Sequence, residues 1–477
     1  MKAPTTVLTR SPVWALGLAS VAGFMVALDA LVVATAIPAI QRDLGARPTT
    51  LAWTINAYAL TYAAGMITAA ALGDRLGRRR IFVLGLGLFA AASAACALAP
   101  SAAALIAARA VQGIGAAVVS PLSLTVLASA FPRERRGAAV GIWGGVSGLA
   151  VASGPLVGGA LAQAFGWHWV FWVNVPIGLL VAVLARLRLD ETHGAAAGLD
   201  LPAVGLVSGG AACAVWGLIR VGDVGWGHEE TVAAVGLGVL LLAAFVAWES
   251  RARAPMLPLR LFRSRAFTAA SASGFLMAAA LIPAAFLIAQ YLQLVLGESP
   301  LGAGLGFLPM TATPLLVAPV AGALSDRIGQ RPLMVGGLLL QAAGLAWFAS
   351  LATPGVEYTR LVPPLLVAGV GVSMPFATTA TAALGAVAPA DLGSASGVTG
   401  TLRQFGAAFG IAIVTAVFAV NGHAGTPAAF DHGFRPALTA AAAISALGAL
   451  TALGVTTRRR SSRVDAAGVA VVPLAER

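Results

Sequence analysis

About fourteen apolar runs, each near the length a helix needs to cross a bilayer, fall along this 477-residue chain. They lie at approximately 13–38, 51–72, 81–99, 101–127, 137–163, 168–187, 201–220, 231–248, 267–290, 300–324, 333–351, 361–387, 394–420 and 436–457. Lipid offers no hydrogen bonds to a backbone, so runs of this length fold as helices. Composition agrees: 59% of residues are hydrophobic, 10% are charged, and the mean hydropathy is +0.89. A soluble domain carries roughly 25% charged residues, so this chain cannot cover a water-facing surface. The expected fold class is an all-α integral membrane protein. The first run is too long for a signal-peptide core and carries Asp29 in its interior, which marks it as a span.

A repeat divides the chain. The segment Ala71-Leu72-Gly73-Asp74-Arg75-Leu76-Gly77-Arg78-Arg79-Arg80 recurs loosely as Ala323-Leu324-Ser325-Asp326-Arg327-Ile328-Gly329-Gln330-Arg331-Pro332. Two similar halves, each with a basic hairpin between spans, form the architecture of a transporter. Asp74 and Asp326 are 252 residues apart, whereas six helices with loops need only roughly 180–200. The surplus is one hairpin, 201–248, which reads as a spacer. The expected organisation is two six-helix bundles plus two extra central helices. It divides into a first half at 12–190, a linker with the hairpin at 191–260, a second half at 261–458 and a short tail at 459–477.

The net charge of +12 does not indicate nucleic acid, because the basic residues sit in loops between spans and form no basic face. With both termini inside, 23 of the 30 basic residues are cytoplasmic, five are outside, and Arg109 and Arg403 lie within spans. That bias fixes the orientation by the positive-inside rule. Cys96 and Cys213 have no metal-ligand spacing, no nucleotide-binding glycine loop is present, and four of the five histidines fall in loops. Enzyme, metal and cofactor readings therefore have nothing to stand on.

Several motifs, in order, resemble one family. Leu28-Asp29-Ala30-Leu31-Val32-Val33-Ala34-Thr35-Ala36-Ile37-Pro38 is similar to a Leu-Asp-x-Thr-Ile-Val-Asn-Val-Ala-Leu-Pro signature, with Leu31 and Ala34 replacing its Thr and Asn. The 73–80 loop matches Gly-x-Leu-x-Asp-Arg-x-Gly-Arg, with Ala70 at its first glycine. Arg109-Ala110-Val111-Gln112-Gly113-Ile114-Gly115 resembles Arg-x-x-Gln-Gly-x-Gly. Gly154-Pro155-Leu156-Val157-Gly158-Gly159 looks like the antiporter motif Gly-Pro-x-x-Gly-Gly, whose usual upstream glycine is Ala150 here. Trp167 to Gly178 is also characteristic of the fourteen-helix branch. The chain thus resembles the major facilitator superfamily, and within it the fourteen-helix drug:proton antiporters. The resemblance implies proton-coupled export of amphipathic, often cationic drugs or antibiotics by alternating access. It implies a multi-pass, monomeric protein of a bacterial-type plasma membrane, with small molecules and protons as partners and no cofactor. A dedicated transporter of one endogenous metabolite and a non-transporting membrane sensor remain open at this point.

Charges inside spans are costly, so they mark function. Asp29 lies nine residues from Pro38, roughly 13 Å deep, and Arg109 eight residues from Ser101, roughly 12 Å deep. Equal depth in one half lets them pair, as a proton-coupling or cation-binding unit. Asp74, Arg75, Gly77 and Arg78, with Asp326, Arg327 and Gly329, form an expected cytoplasmic latch. In it Asp74 caps a neighbouring helix or pairs with an arginine across the halves. Glycines of the fifth span (Gly141, Gly144, Gly145, Gly148, Gly154, Gly158, Gly159) and of span 394–420 (Gly397, Gly400, Gly406, Gly410) suit a close seam between the halves, and Pro155 bends the former. Mid-span polar and aromatic residues suggest a substrate cavity from Asn56, Tyr58, Gln112, Trp143, Gln290, Tyr291, Gln341, Arg403 and Gln404.

Overall fold

A computed structural model describes residues 12–46, 48–132, 135–194, 200–252, 255, 257, 259–422 and 427–455; the expected tail at 459–477 lies outside them. The described chain is helical, with no strand among the described residues. The first group of helices is α1 (Pro12–Leu44), α2 (Pro48–Leu76), α3 (Arg78–Ala97), α4 (Ala102–Ala130), α5 (Arg136–Ala164), α6 (Trp169–Trp172) and α7 (Asn174–Arg188). A hairpin follows, α8 (Leu201–Val224) and α9 (Glu229–Glu249). The second group is α10 (Arg265–Leu294), α11 (Pro300–Thr311), α12 (Thr313–Ile328), α13 (Gln330–Leu351), α14 (Tyr358–Gly385), α15 (Leu392–Asn421) and α16 (Pro427–Ala452). Among the described residues, thirteen segments are long and apolar enough to cross a membrane.

Local chemistry sets the helix ends. Ser101, Asp200, Ser264 and Ser299 each accept a backbone N–H at the start of α4, α8, α10 and α11. Gly77 and Gly329, at matching places in the repeat, turn the chain at φ +106° and +87°, a region where a side chain is strained. Two expected spans are broken. The run at 300–324 becomes α11 and α12, with Pro314 lacking the N–H that would continue the helix. The run at 168–187 breaks between α6 and α7, which starts α7 at Asn174.

The two groups pack alike. In the first, α1 lies on α5, α2 and α3 on α4, and α7 on α3; in the second, α10 lies on α15, α12 and α13 on α14, and α16 on α13. Gly113 and Gly115 of α4 admit the backbones of α2 (Tyr58) and α3 (Phe89). Gly369 and Gly371 of α14 admit those of α11 (Met310) and α13 (Gln341) in the same way. The result is two bundles related by an internal repeat. The hairpin lies at the seam: α8 lies across α2 and α15, one helix from each bundle, and α9 packs mainly on α8.

The bundles meet along α5 with α12 and α2 with α15. A Cβ at Gly141 would sit 2.5 Å from the Ala318 carbonyl oxygen, and one at Gly145 would sit 2.9 Å from that of Pro314. Gly397 faces Ala70, and Gly400 faces Met66. These glycines hold the seam. Gly406 and Gly410 do not, because they pack on Phe275 and Ala279 of α10 inside their own bundle. We expect Gly141→Val to cost about 1–3 kcal/mol by overpacking against backbone that cannot yield. Gly159→Ala, at a glycine with open space around it, should be neutral. Thermal unfolding of the detergent-purified variants checks both.

Candidate functional site

Asp29, midway along α1, has no exposed surface. Arg109 of α4 donates from Nη1 to Asp29 Oδ2 at 2.5 Å, which closes an ion pair with both side chains fully buried. The other oxygen, Oδ1, accepts Gln112 Nε2 and Asn174 Nδ2, each at 2.8 Å. Arg109 also donates from Nη1 to Gln112 Oε1 at 2.7 Å and from Nε to the Thr54 carbonyl at 3.0 Å. Ser93 stands within 3.2 Å of both amide nitrogens and donates to the Phe171 carbonyl. The Tyr58 ring covers the guanidinium at 4.1 Å.

The pairing of Asp29 with Arg109 is as expected from their depth; its surroundings are not. Gln112 and Tyr58, expected to line a substrate cavity, belong to this cluster. Asn174 and Ser93 were not singled out in the sequence, although Asn174 lies within the Trp167–Gly178 motif. It is the break before α7 that brings Asn174 to the carboxylate. In a medium that cannot solvate charge, such a pair is costly unless its hydrogen bonds are filled; both carboxylate oxygens are satisfied, while Arg109 Nη2 is buried with no hydrogen-bond partner among the described residues. At the repeat-equivalent position of α14 the residue is Leu365, fully apolar and buried.

The repeated loops do equivalent things at one end of the molecule, here called the basic end. Asp326, at the end of α12, accepts the backbone N–H groups of Gly137 and Ala138, both at 3.1 Å. It thereby caps α5 of the other bundle. Asp74, at the end of α2, meets Gly393 and accepts the Ser394 N–H at the start of α15. Each bundle thus supplies a carboxylate to a helix N-terminus of the other, where the dipole and free N–H groups favour an anion. The arginine partner of Asp74 is Arg78 of its own bundle, Nε to Oδ1 at 2.8 Å, and among the described residues no arginine pairs with it across the halves. Arg75 and Arg327 are exposed. Gly77 and Gly329 make the turns beyond these carboxylates.

Between the bundles lies a small space of about 30 Å³, lined by Met66, Ser120 and Trp143 from one side and Ser271, Thr379, Thr399 and Arg403 from the other. Of the expected cavity residues, Trp143 and Arg403 reach it. Tyr291 and Gln341 do not: Tyr291 stacks on Phe434 at 4.7 Å and donates to the Thr353 carbonyl, and Gln341 accepts Ser445 Oγ at 3.2 Å. Both lie inside the second bundle. Asn56, Gln290 and Gln404 are half-buried and outside the lining. In the antiporter motif, Gly154 and Gly158 are buried and Gly159 is open; the Pro155 side chain lies outside the described residues.

Two outcomes follow from this geometry. Asp29→Asn keeps the shape but strands a buried guanidinium, which should cost about 3–5 kcal/mol. Arg109→Gln added to it should recover part of the loss, and thermal unfolding reads both. Asp326→Ala removes two hydrogen bonds to a helix start, worth about 1–3 kcal/mol to the closed basic end. Spin labels at Arg135→Cys and Arg331→Cys should then report a longer-distance population that grows at the expense of the short one.

Comparison with known proteins agrees with the architecture. Residues 19–411 and 270–476 match the profile of the Major Facilitator Superfamily. The tetracenomycin C resistance and export protein of Streptomyces glaucescens is 40% identical over 399 residues, covering 83% of this chain and 73% of that one. The methylenomycin A resistance protein of Streptomyces coelicolor is 34% identical over 452 residues, covering 93% of each. Among solved structures, the proton:xylose symporter XylE bound to 6-bromo-6-deoxy-D-glucose aligns with a TM-score of 0.65 at 16% identity, over 94% of this chain and 96% of that one, a likeness of fold. The two bundles, the repeated capping loops and these matches establish that the chain belongs to the major facilitator superfamily, as a multi-pass membrane transporter whose relatives export or resist antibiotics.

Proposed function

We propose that this protein exports amphipathic drugs or antibiotics in exchange for protons by alternating access, with the basic end facing the cytoplasm and both termini on that side. The observation that carries the reading is the central space, which draws its lining from both bundles while reciprocal helix caps hold them together at the basic end. Rocking the bundles about the glycine seam breaks those caps and turns the space to the other face. The printed activities of the relatives support antibiotics as substrates. The charge bias of the loops supports the orientation. The chemistry described needs no cofactor and no second copy of the chain.

Asp29 is the proton site in this reading. Protonation removes the negative half of the ion pair, releases Arg109 and loosens the joint between α1, α4 and α7. Protonation and opening are then coupled through one network, with Arg109, Gln112 and Asn174 as its moving parts. Direct competition between a cationic drug and the proton for Asp29 does not fit. Both carboxylate oxygens are occupied, and the site has no surface open to a ligand.

The test uses proteoliposomes with a trapped pH dye and an imposed pH gradient, to which tetracenomycin C and methylenomycin A are added. Drug-triggered proton movement is expected in the wild type and should be lost in Asp29→Asn. It should stay lost in Asp29→Asn with Arg109→Gln, the variant that restores charge balance and hence folding. Equal proton movement in all three would place coupling elsewhere. Proton-independent drug movement would contradict antiport.

A further inference from the structure

We infer that the central space takes the anionic group of an amphipathic molecule, a carboxylate, phenolate or enolate on an apolar body, with Arg403 as its counter-ion. This rests on the transport reading above and names the substrate class for it.

Arg403 lies about a third of the way along α15, between the bundles. Among the described residues it has no hydrogen bond and no ion pair. Its one strong neighbour is the Phe376 ring, 5.4 Å from the guanidinium. No carboxylate lines the space, and the acidic side chain buried at mid-membrane in the first bundle, Asp29, is already neutralised by Arg109. The cavity therefore carries one uncompensated positive charge. A cation there without a partner is unfavourable, and it repels the cationic drugs that the family resemblance suggests.

The uncharged groups beside it have the same bias. Trp143 Nε1 and Ser271 Oγ, both on residues that line the space, are buried with no hydrogen-bond partner among the described residues. The indole can only donate and the hydroxyl can donate, as can every nitrogen of Arg403. The Trp143 nitrogen lies against Gly23 of α1, so Arg403 of α15 and Ser271 of α10 are the unfilled donors on the lining that suit one acceptor-rich group. Trp143 supplies flat apolar surface for the body of the molecule, and Phe376 backs Arg403. The internal repeat shows that packing does not require a cation at this depth. The residue of α5 equivalent to Arg403 is Ser147, which simply bonds the Trp143 carbonyl of its own helix. In the described state the space has room for about one water, so a substrate enters as the bundles part.

The test reads the charge preference of the cavity directly. In a Cys96→Ala, Cys213→Ala background, Thr399→Cys is labelled with anionic sulfonatoethyl and cationic trimethylammonioethyl methanethiosulfonate. Ser271→Cys serves as a second position should the first fail to fold. The anion-to-cation rate ratio is expected to fall at least about tenfold on Arg403→Gln and to be retained by Arg403→Lys. Labelling should be slowed by 2-naphthoate and not by 2-naphthylmethylammonium. A ratio unchanged by Arg403→Gln, or equal protection by the two naphthyl probes, would overturn the proposal. Replacing gluconate by chloride should leave the ratio intact; its collapse would reassign Arg403 to an inorganic anion and equally overturn it. Labelling needs no drug transport. An intact preference with no drug efflux would therefore count against the export reading alone.

Discussion

A charged group that cannot reach water must be neutralised where it stands, and the first bundle is organised around that demand. Asp29 draws Arg109 and Gln112 from α4 and Asn174 from α7; Arg109 in turn takes the Thr54 carbonyl of α2, while Ser93 of α3 completes the amide contacts. Five helices are thereby tied at one level by hydrogen bonds that have no solvent substitute. The second bundle solves the same packing problem without charge. Leu365 stands where Arg109 would, and Tyr291, Phe348, Phe430 and Phe434 stack into an apolar centre. The repeat therefore preserves the scaffold and splits the chemistry. The first bundle buries the Asp29–Arg109 pair, and the second carries Arg403 on the lining of the shared space.

Small residues and helix ends do the work between the halves. Glycines on α5 and α15 bring backbones close enough that the seam contains little side chain to rearrange. Asp326 of α12, capping α5, and Asp74 of α2, capping α15, close the basic end with hydrogen bonds to helix starts, which are strong enough to hold and few enough to break. The hairpin adds a further contact, since Ser208 of α8 meets Thr68 of α2 and Trp226 in the turn after α8 meets Phe409 of α15. It is thus more than a spacer in the chain.

Much of this was legible in the sequence, because the signals were of the kinds that lipid enforces. Span lengths, the repeated loop and the two buried charges at equal depth each follow from the cost of exposing polar groups to hydrocarbon. What could not be read was which neutral partner meets which. Gln112 and Tyr58 look like cavity residues in a linear sequence, and Asn174 is one polar residue in a span at 168–187, until the break before α7 fixes its direction. Gly406 and Gly410 have the spacing of a close helix contact, but spacing does not say which helix approaches. The α11–α12 break was missed although Pro309, Pro314 and Pro319 all lie in that stretch. Prolines are common in membrane spans and rarely show which one ends the helix.

The central claim is that Asp29 changes protonation as the transporter changes state. Infrared difference spectroscopy on oriented membranes, recorded as pH is stepped from alkaline to mildly acidic, tests it most directly. The account expects a protonated-carboxyl band that appears on acidification, vanishes in Asp29→Asn and grows when Asp326→Ala opens the basic end. A spectrum in which no band depends on Asp29 in either the closed or the opened protein would contradict it.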